Sequence, residues 1–457
     1  MKGNLSRLSL EIKSSTSLLE KLLNESTLYV LSNLRKIEKM DDMKICRKEG
    51  LMQLSELVQT RIKSLQNPPN CSRAKILLAR TRCNCGYGCQ THYYMFCLNM
   101  AYATGRTLVP ESRKTPCENW WAKSHLPFSY TCNMRDVGIN EEVVAMNSIS
   151  FNSTARVMRC EFNFFLHTEN VPIAPPTVPS DIAPLLLTLH GQPAVWFLGQ
   201  LAHYVTRPLP RFKSQRDSLA LAKKLSGSRV SPVVGVHVRR TDKVLYREAN
   251  FHNLSEYMIH VDRYFDYVDQ ERFLEAKSNG PRKPKVRRQI YLASDDESVF
   301  RDMKVQYPHY VVHKITRNEL AVEAGRKYPT DGETHIAVEI FLLSLTDYIV
   351  CTLSSNVCRL AYELMQARHN EIGDAGDRVQ TVDMFYYWDG GQTNECKMAQ
   401  DDEALHLQKG DVVDIWSGNL NSRFERRRLQ NKTYFLDPPY KCVPQIRVGE
   451  MKGPLEQ

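Results

Sequence analysis

From Val233 to Gln366 one pattern recurs: a short apolar run, then a segment of helical period. The apolar runs are VVGVHV (233–238), IYLAS (290–294), YVVHKI (310–315) and DYIVCTL (347–353). Helices are expected near 253–268, after Asp296, over HIAVEIFLLSL and over SNVCRLAYELMQ. Strands that are apolar on both faces and alternate with helices pair in parallel, because each crossover helix covers a face. The expected fold class is therefore α/β, with a Rossmann-type doubly wound parallel sheet. Ligands of such sheets sit beyond the carboxyl ends of the strands. That edge collects His237, Arg239 and Arg240, then Asp295 and Asp296, then Ser354 and Ser355.

A chain of 457 residues is too long for one ordinary core. Residues 1–66 read as helix: Leu5, Leu8, Ile12, Leu19 and Leu22 recur at 3–4 spacing, and Leu51, Leu54 and Leu57 resume it. Ser15, Ser26 and Asn33 interrupt the seam, so the segment is a patchy coiled-coil stem, a helical hairpin or an ordinary helix packed on the body. Pro68 and Pro69 end it. Residues 67–226 are mixed and read as an open α/β domain, with a proline-rich loop from Pro172 to Pro184 and a helix at 212–225. Residues 227–385 form the parallel-sheet domain. After Gly390 and Gly391 the pattern changes to short strands with turns, and 395–450 reads as a small β-barrel.

The net charge of +10 suits an anionic ligand, but solvated surface lysines give the same number and are the favoured reading. Thirteen cysteines, with sequons at Asn24, Asn152, Asn253 and Asn431 and a weaker one at Asn70, favour an oxidising secretory compartment. No apolar signal core opens the sequence, and no run approaches the ~18 to 20 residues of a membrane span. Either an anchor is absent from this chain, or the cysteines serve metal or redox chemistry.

The charged strand end carries the chemistry. A guanidinium grips phosphate bidentately. Adjacent strand residues point to opposite sides, so one arginine is expected to face a ligand and the other to brace the loop. The competing reading is an arginine–carboxylate network at the sheet edge with Asp242 as partner. CNCGYGCQTH, from Cys83, places Gly86 and Gly88 before an apolar helix, an arrangement that lets backbone amides meet an anion. Cys85 and Cys89 flank that loop at disulfide reach. A zinc site from Cys83, Cys85, Cys89 and Cys97 competes, although the spacing is not a paired CxxC pattern. Ser354 and Ser355 at a strand-to-helix junction offer a second anion site, or a simple N-cap. Asp295, Asp296 and Glu297 suggest either a metal cluster or carboxylates that orient sugar and arginines. There is neither a Walker motif nor a GxGxxG fingerprint. A nucleotide-sugar fits this set; nothing in it calls for nucleic acid.

GVHVRRTDKV, FHNLSEYM, IYLASDDES, VCTLSSNVCRLAYELMQ, CGYGCQ and PAVWFLGQ together resemble the α-1,6-fucosyltransferase family, whose members add core fucose to N-glycans. The similarity runs, with gaps, from about Asn70 to Tyr440. The histidine–arginine motif alone would also suit nodulation and protein O-fucosyltransferases, but the C-terminal barrel resembles the SH3 domain that marks the α-1,6 enzymes. The resemblance implies a GT-B-like enzyme that uses GDP-fucose with inversion, needs no metal or other cofactor, and fucosylates O6 of the innermost GlcNAc. It also implies a single-pass type II Golgi membrane protein, lumenal and dimeric through N-terminal helices, whose anchor this chain lacks.

By the same resemblance Arg239 holds the β-phosphate and Arg240 is the second essential arginine. His237 contacts guanine, and Asp242 and Lys243 complete the motif. Glu248, in EANFH, is the catalytic base, with one residue more than the family has between it and the arginines. Tyr257, Asp295 and Asp296 match active-site positions, Gly88 and Cys89 the loop over the diphosphate, and Ser355 a phosphate-side serine. Glu339 stands where the family reads guanine with aspartate, and the Cys117 region replaces a tyrosine near the nucleotide. The implied disulfides are Cys85–Cys89, Cys351–Cys358, Cys71–Cys132 and Cys83–Cys97, which leave Cys46, Cys117, Cys160, Cys396 and Cys442 unassigned. The reading from another class is an SH3-bearing binding protein with a degenerate transferase domain. Leu405 and Leu407 stand where proline-binding SH3 domains use tyrosines, which argues against peptide capture.

Overall fold

A computed structural model of the chain describes residues 15–19, 21–23, 25–26, 29–30, 33–34, 37, 43–80, 85–111, 121–138, 141–147, 149–161, 171–226, 231–245, 250–279, 285–315, 332–368, 374–383, 386, 394–403, 406–417, 425–428, 434–437 and 442–451. Between 15 and 37 the described residues are helical, and Leu19 and Leu22 are exposed. Leu5, Leu8 and Ile12 lie outside the described residues.

Helix α1 (Met43–Gln66) buries Leu51, Leu54, Val58 and Ile62, spaced three and four apart on one face. Leu57, read as part of that seam, faces out. The buried stripe packs on the body, where Ser55 Oγ donates to Gln200 Oε1 at 2.8 Å. This part of the N-terminal segment is thus a packed helix.

Strand β1 (Ile76–Arg80) leads through α2 (Tyr87–Thr104) to β2 (Thr107–Glu111), and β3 (Val143–Met146) and β4 (Val157–Cys160) follow. They form a parallel sheet in the order β2-β1-β4-β3; one face carries a small core of its own and the other joins the larger core. Next come β5 (Val178–Pro179), α3 (Ala183–Leu189) and α4 (Pro193–Val205). The single helix expected at 212–225 is two: α5 (Pro210–Ser218) and α6 (Ala220–Ser226). Leu219 between them is extended, with φ −53° and ψ 130°, and the break turns its side chain into the core.

The second parallel sheet contains β6 (Val233–Val238), β7 (Gln289–Ser294), β8 (Val311–His313), β9 (Tyr348–Cys351) and β10 (Val379–Thr381). Its helices are α7 (Thr241–Leu245), α8 (Leu254–Asn279), α9 (Glu297–Gln306), α10 (Gly332–Ser344) and α11 (Asn356–Gln366). The order is β10-β9-β6-β7-β8, so the winding reverses between β6 and β9. Every residue of β6 is buried. Val234, Val236 and Val238 face α8 and α9, whereas Val233 faces the larger core shared with the first sheet. Helix α4, nearly enclosed, runs between α2 and α11 and joins the two bodies. Gly199 makes this possible: a Cβ there would lie 2.4 Å from the Glu363 carbonyl oxygen.

Beyond this, β11 (Asn394–Met398), β12 (Val412–Ser417), β13 (Glu425–Arg428), β14 (Tyr434–Asp437) and β15 (Cys442–Pro444) form an antiparallel sheet in the order β14-β13-β12-β11-β15. Leu407 is buried beside it, and Leu405 lies outside the described residues. The chain then returns to the first body: β16 (Val448–Gly449) pairs in parallel with β5. Among the described residues no helix is long and apolar enough to cross a membrane.

Candidate active site

The register of the second sheet sets the site. His237 lies level with Ala293 of β7 on one side and Cys351 of β9 on the other. The segments after these three strands therefore emerge side by side at the point where the winding reverses.

Asp295 organises the exit of β6. Its Oδ1 accepts from the Arg240 backbone N–H at 2.9 Å, and its Oδ2 takes both the Arg239 guanidinium and the Thr241 hydroxyl. Ser294 Oγ donates to the Val238 carbonyl at 2.8 Å. Among the described residues the carboxylate partners of the arginines are Asp295 and Asp296; the side chain of Asp242, the partner considered above, lies outside what is described. The two arginines differ in setting. Arg240 is buried: its Nη1 is 3.4 Å from Asp296 Oδ2, its Nη2 donates to the His252 carbonyl at 3.3 Å, and its guanidinium lies 4.4 Å from the Phe251 ring centroid. Arg239 keeps 24% of its side chain exposed at the edge. Arg240 braces the loop and Arg239 faces outward, as alternation along a strand requires. Asp296 also caps α9 by accepting from Ser298 N at 2.9 Å, and hydrogen bonding to the Ser298 side chain, helped by this N–H and by Arg240, holds its carboxyl below the ordinary carboxylate range.

The exit of β9 is held by a residue that sequence reasoning missed. Asp383, just past β10, accepts from the backbone N–H of Leu353 at 2.8 Å and of Ser354 at 3.2 Å. Thr381 Oγ1 donates to the same carboxylate at 2.7 Å. Only the fold makes Asp383 legible, because some 30 residues separate it from the loop it grips. Ser355 occupies the N-cap position of α11, yet its hydroxyl makes no capping bond. The N-cap reading is therefore corrected, and the hydroxyl is left for another acceptor. A disulfide between Cys351 and Cys358 ties the strand end to the first turn of α11.

The glycine loop completes the arrangement. Gly86 precedes α2, and a Cys85–Cys89 disulfide closes its first turn, so those two sulfurs are not free to form the zinc set. A Cβ at Gly88 would sit 2.9 Å from Asn356 Cβ and 3.1 Å from the Asn356 carbonyl carbon. The N-termini of α2 and α11 are thereby packed against each other. Unsatisfied N–H groups at two converging helix starts present a positive field to an anion.

His237 is buried, which pushes its pKa down to about 4, so the ring is neutral near pH 7. Its Nδ1 has no hydrogen-bond partner among the described residues. Tyr257 is buried on α8 near Thr352, and burial raises its phenol pKa. Glu339 lies 3.4 Å from His335 on its own helix; no hydrogen bond joins it to His237 among the described residues. The backbones of Asp242 and Lys243 lie in α7, but their side chains are outside what is described, as are Glu248, Cys83 and Cys117 entirely. A Cys71–Cys132 disulfide is present. For Cys83–Cys97 the structure gives a different neighbour: Cys97 Sγ lies 2.7 Å from Cys160 Sγ. No group of three or more His, Cys, Asp and Glu side chains among the described residues is placed to hold a metal ion.

A family profile described as "Alpha-(1,6)-fucosyltransferase N- and catalytic domains" matches residues 3–387. The chain belongs to the α-(1,6)-fucosyltransferase family. An alpha-(1,6)-fucosyltransferase of Drosophila melanogaster is 34% identical over 411 residues, which is 87% of this chain and 62% of that protein. One of Caenorhabditis elegans is 31% identical over 453 residues, 97% of this chain and 77% of that protein. The chain thus spans under two thirds of the fly relative's length. Among solved structures, NodZ alpha-1,6-fucosyltransferase soaked with GDP-fucose matches with TM-score 0.38 and 15% identity over 64% of this chain and 93% of that one. A variant of Arabidopsis thaliana FUT1 in complex with GDP matches with TM-score 0.40 and 13% identity, over 74% of this chain and 78% of that one. Scores this low transfer no residue roles. Within the family, the strand edge built by Arg239, Arg240, Asp295 and Asp296 is the candidate active site.

Proposed function

We propose that this chain moves fucose from GDP-β-L-fucose to O6 of the innermost GlcNAc of N-glycans, with inversion and without a metal ion. Family membership supports fucose transfer. The observation that carries the reading is the edge where outward-facing Arg239 lies on the same strand-end line as the paired N-termini of α2 and α11. Such a concentration of fixed positive charge and amide donors suits a diphosphate leaving group.

In this reading the acceptor O6 forms its bond to the fucose anomeric carbon as the bond from that carbon to the β-phosphate oxygen breaks. Glu248 takes the O6 proton, with Lys243 orienting it and Asp242 completing the loop. Arg239 and the amides near Gly88 and Cys89 take up the charge developing on GDP, with Ser355 on the phosphate side. Arg240 and Asp296 keep the loop in place, and Asp295 aims Arg239. His237 and Glu339 read guanine, and Tyr257 lines the site. A neutral His237 with an open Nδ1 suits a base edge better than a phosphate. The GT-B-like arrangement of the two sheets, the SH3-like identity of the C-terminal sheet, dimerisation through the N-terminal helices and a type II Golgi location with a lumenal catalytic domain belong to the same proposal.

The test is transfer from GDP-fucose to a GlcNAc-terminated N-glycan in EDTA, with wild type beside Glu248→Gln. The wild type turns over, and the variant falls by about 10²- to 10⁴-fold while staying folded. Near-full turnover by Glu248→Gln removes Glu248 as the base. Loss of wild-type activity in EDTA, restored by a divalent cation, removes metal independence. Binding of GDP-fucose without transfer to any acceptor favours the SH3-bearing binding protein.

A further inference from the structure

We infer that Cys97 and Cys160 form a disulfide that clamps α2, the helix carrying the glycine loop, to strand β4 of the first sheet. Their sulfurs are 2.7 Å apart, and both residues are buried. The topology makes this contact a consequence of register. Strand β1 pairs with β4 through Ile76↔Val157, Leu77↔Met158 and Leu78↔Arg159. The next step along both strands sets Ala79 beside Cys160.

Alternation then sorts the two faces. Ile76, Leu78 and Val157 enter one core, with Cys71 and Cys132; Leu77, Ala79, Met158 and Cys160 enter the other, with Cys97. Helix α2 covers that second face and contacts β1 directly. Ala79 is the small residue under it, which leaves room for a side chain from α2 to reach across β1 to β4. Tyr93 Oη, one turn before Cys97, donates to the Cys160 carbonyl at 3.3 Å and fixes the same approach. The sulfurs therefore meet in a dry pocket between two rigid elements. Three disulfides among the described residues fit a chain assembled under oxidising conditions.

The chemistry balances by thiol–disulfide exchange. A disulfide donor, such as oxidised glutathione or an oxidoreductase in its disulfide form, accepts two electrons and is reduced to two thiols. One cysteine thiolate attacks a donor sulfur, the second attacks the resulting mixed disulfide and displaces the donor, and the two protons given up by the cysteines end on the donor's two thiols. Because the pair is buried in the folded state, the exchange takes place during folding. The bond closes a segment of 63 residues, a span at which cross-linking restricts the unfolded chain strongly. With Cys85–Cys89 at the start of α2, it fixes the glycine loop at both its first turn and its mid-helix.

Non-reducing peptide mapping tests the bond. The full chain, made in a secretory host, is denatured in N-ethylmaleimide without reductant and digested with chymotrypsin. Tyr93, Tyr94 and Phe96 allow cleavage that separates Cys97 from Cys83, Cys85 and Cys89. The expected species joins the Cys97 and Cys160 peptides, weighs two hydrogens less than their sum, and falls apart on phosphine treatment. Cys160→Ser then leaves Cys97 reactive to maleimide and lowers the Tm by several degrees, without altering the metal or nucleotide requirement. Maleimide on both Cys97 and Cys160 of the wild type overturns the inference in favour of a buried thiol pair. A Cys83–Cys97 peptide overturns it in favour of the pairing implied by the family resemblance.

Discussion

Arg240 is enclosed by Phe251, Asp296 and the His252 carbonyl, while its neighbour Arg239 meets Asp295 and keeps 24% of its side chain exposed. The two should separate in experiment. Arg239→Ala lowers kcat/KM for GDP-fucose by about 10²- to 10³-fold and leaves the Tm near wild type, as loss of one oxyanion donor does elsewhere. Arg240→Ala lowers both, because it empties a buried position and leaves Asp296 unpaired. Equal Tm losses, read by thermal melts beside kinetics, would contradict this division. Strand alternation alone did not say which arginine faces outward, although the family resemblance put Arg239 on the phosphate: the answer depends on α8 and the Phe251–His252 segment coming to lie over one side of β6. Asp383 was hidden for a similar reason. Its role is to accept from the amides of Leu353 and Ser354, and a sequence shows no backbone amide waiting for a partner.

Helices α2 and α11 meet at their N-termini only because position 88 has no side chain. Gly88→Ala must part them by several tenths of an ångström, since the facing atoms include Asn356 backbone. The substitution should destabilise the protein by about 1–3 kcal/mol and raise the KM for GDP-fucose more than it lowers kcat. A variant with unchanged KM would mean that the two helix starts do not share the diphosphate. At this scale the second sheet was legible almost strand for strand, because fully buried parallel strands read as continuous apolar runs. Its ends were less so: YVVHKI yields only Val311–His313, and the helix near 253–268 runs on to Asn279. The first sheet was not placed at all. Its strands are four and five residues long, and ILLAR, TLVPE and VMRC carry no alternation to distinguish them from buried helix.

Across the whole molecule, two parallel sheets share one core through α4, and the last strand returns to pair with β5 some 270 residues earlier. A body closed in this way buries histidines as neutral rings. Burial lowers His237 to about 4 and His125 to about 3, against 6.5 for a solvated ring. In the unfolded chain both take a proton as pH falls below 6.5, and in the folded protein neither does until far lower. Stability is therefore full above pH 6.5 and declines as pH falls toward 4, by on the order of 3 kcal/mol for each ring. The Tm should be flat from pH 7 to 8 and drop steeply between pH 6.5 and 4.5; a constant Tm across that lower window would contradict the burial of neutral His237. The account as a whole rests on the chemistry at the sheet edge. Its most direct test is the linkage in the product formed from GDP-fucose and a GlcNAc-terminated N-glycan, read by mass spectrometry with linkage-specific fucosidases. The account predicts a single fucose α1,6-linked to the innermost GlcNAc; fucose at another position, or no transfer by a folded chain that binds GDP-fucose, would contradict it.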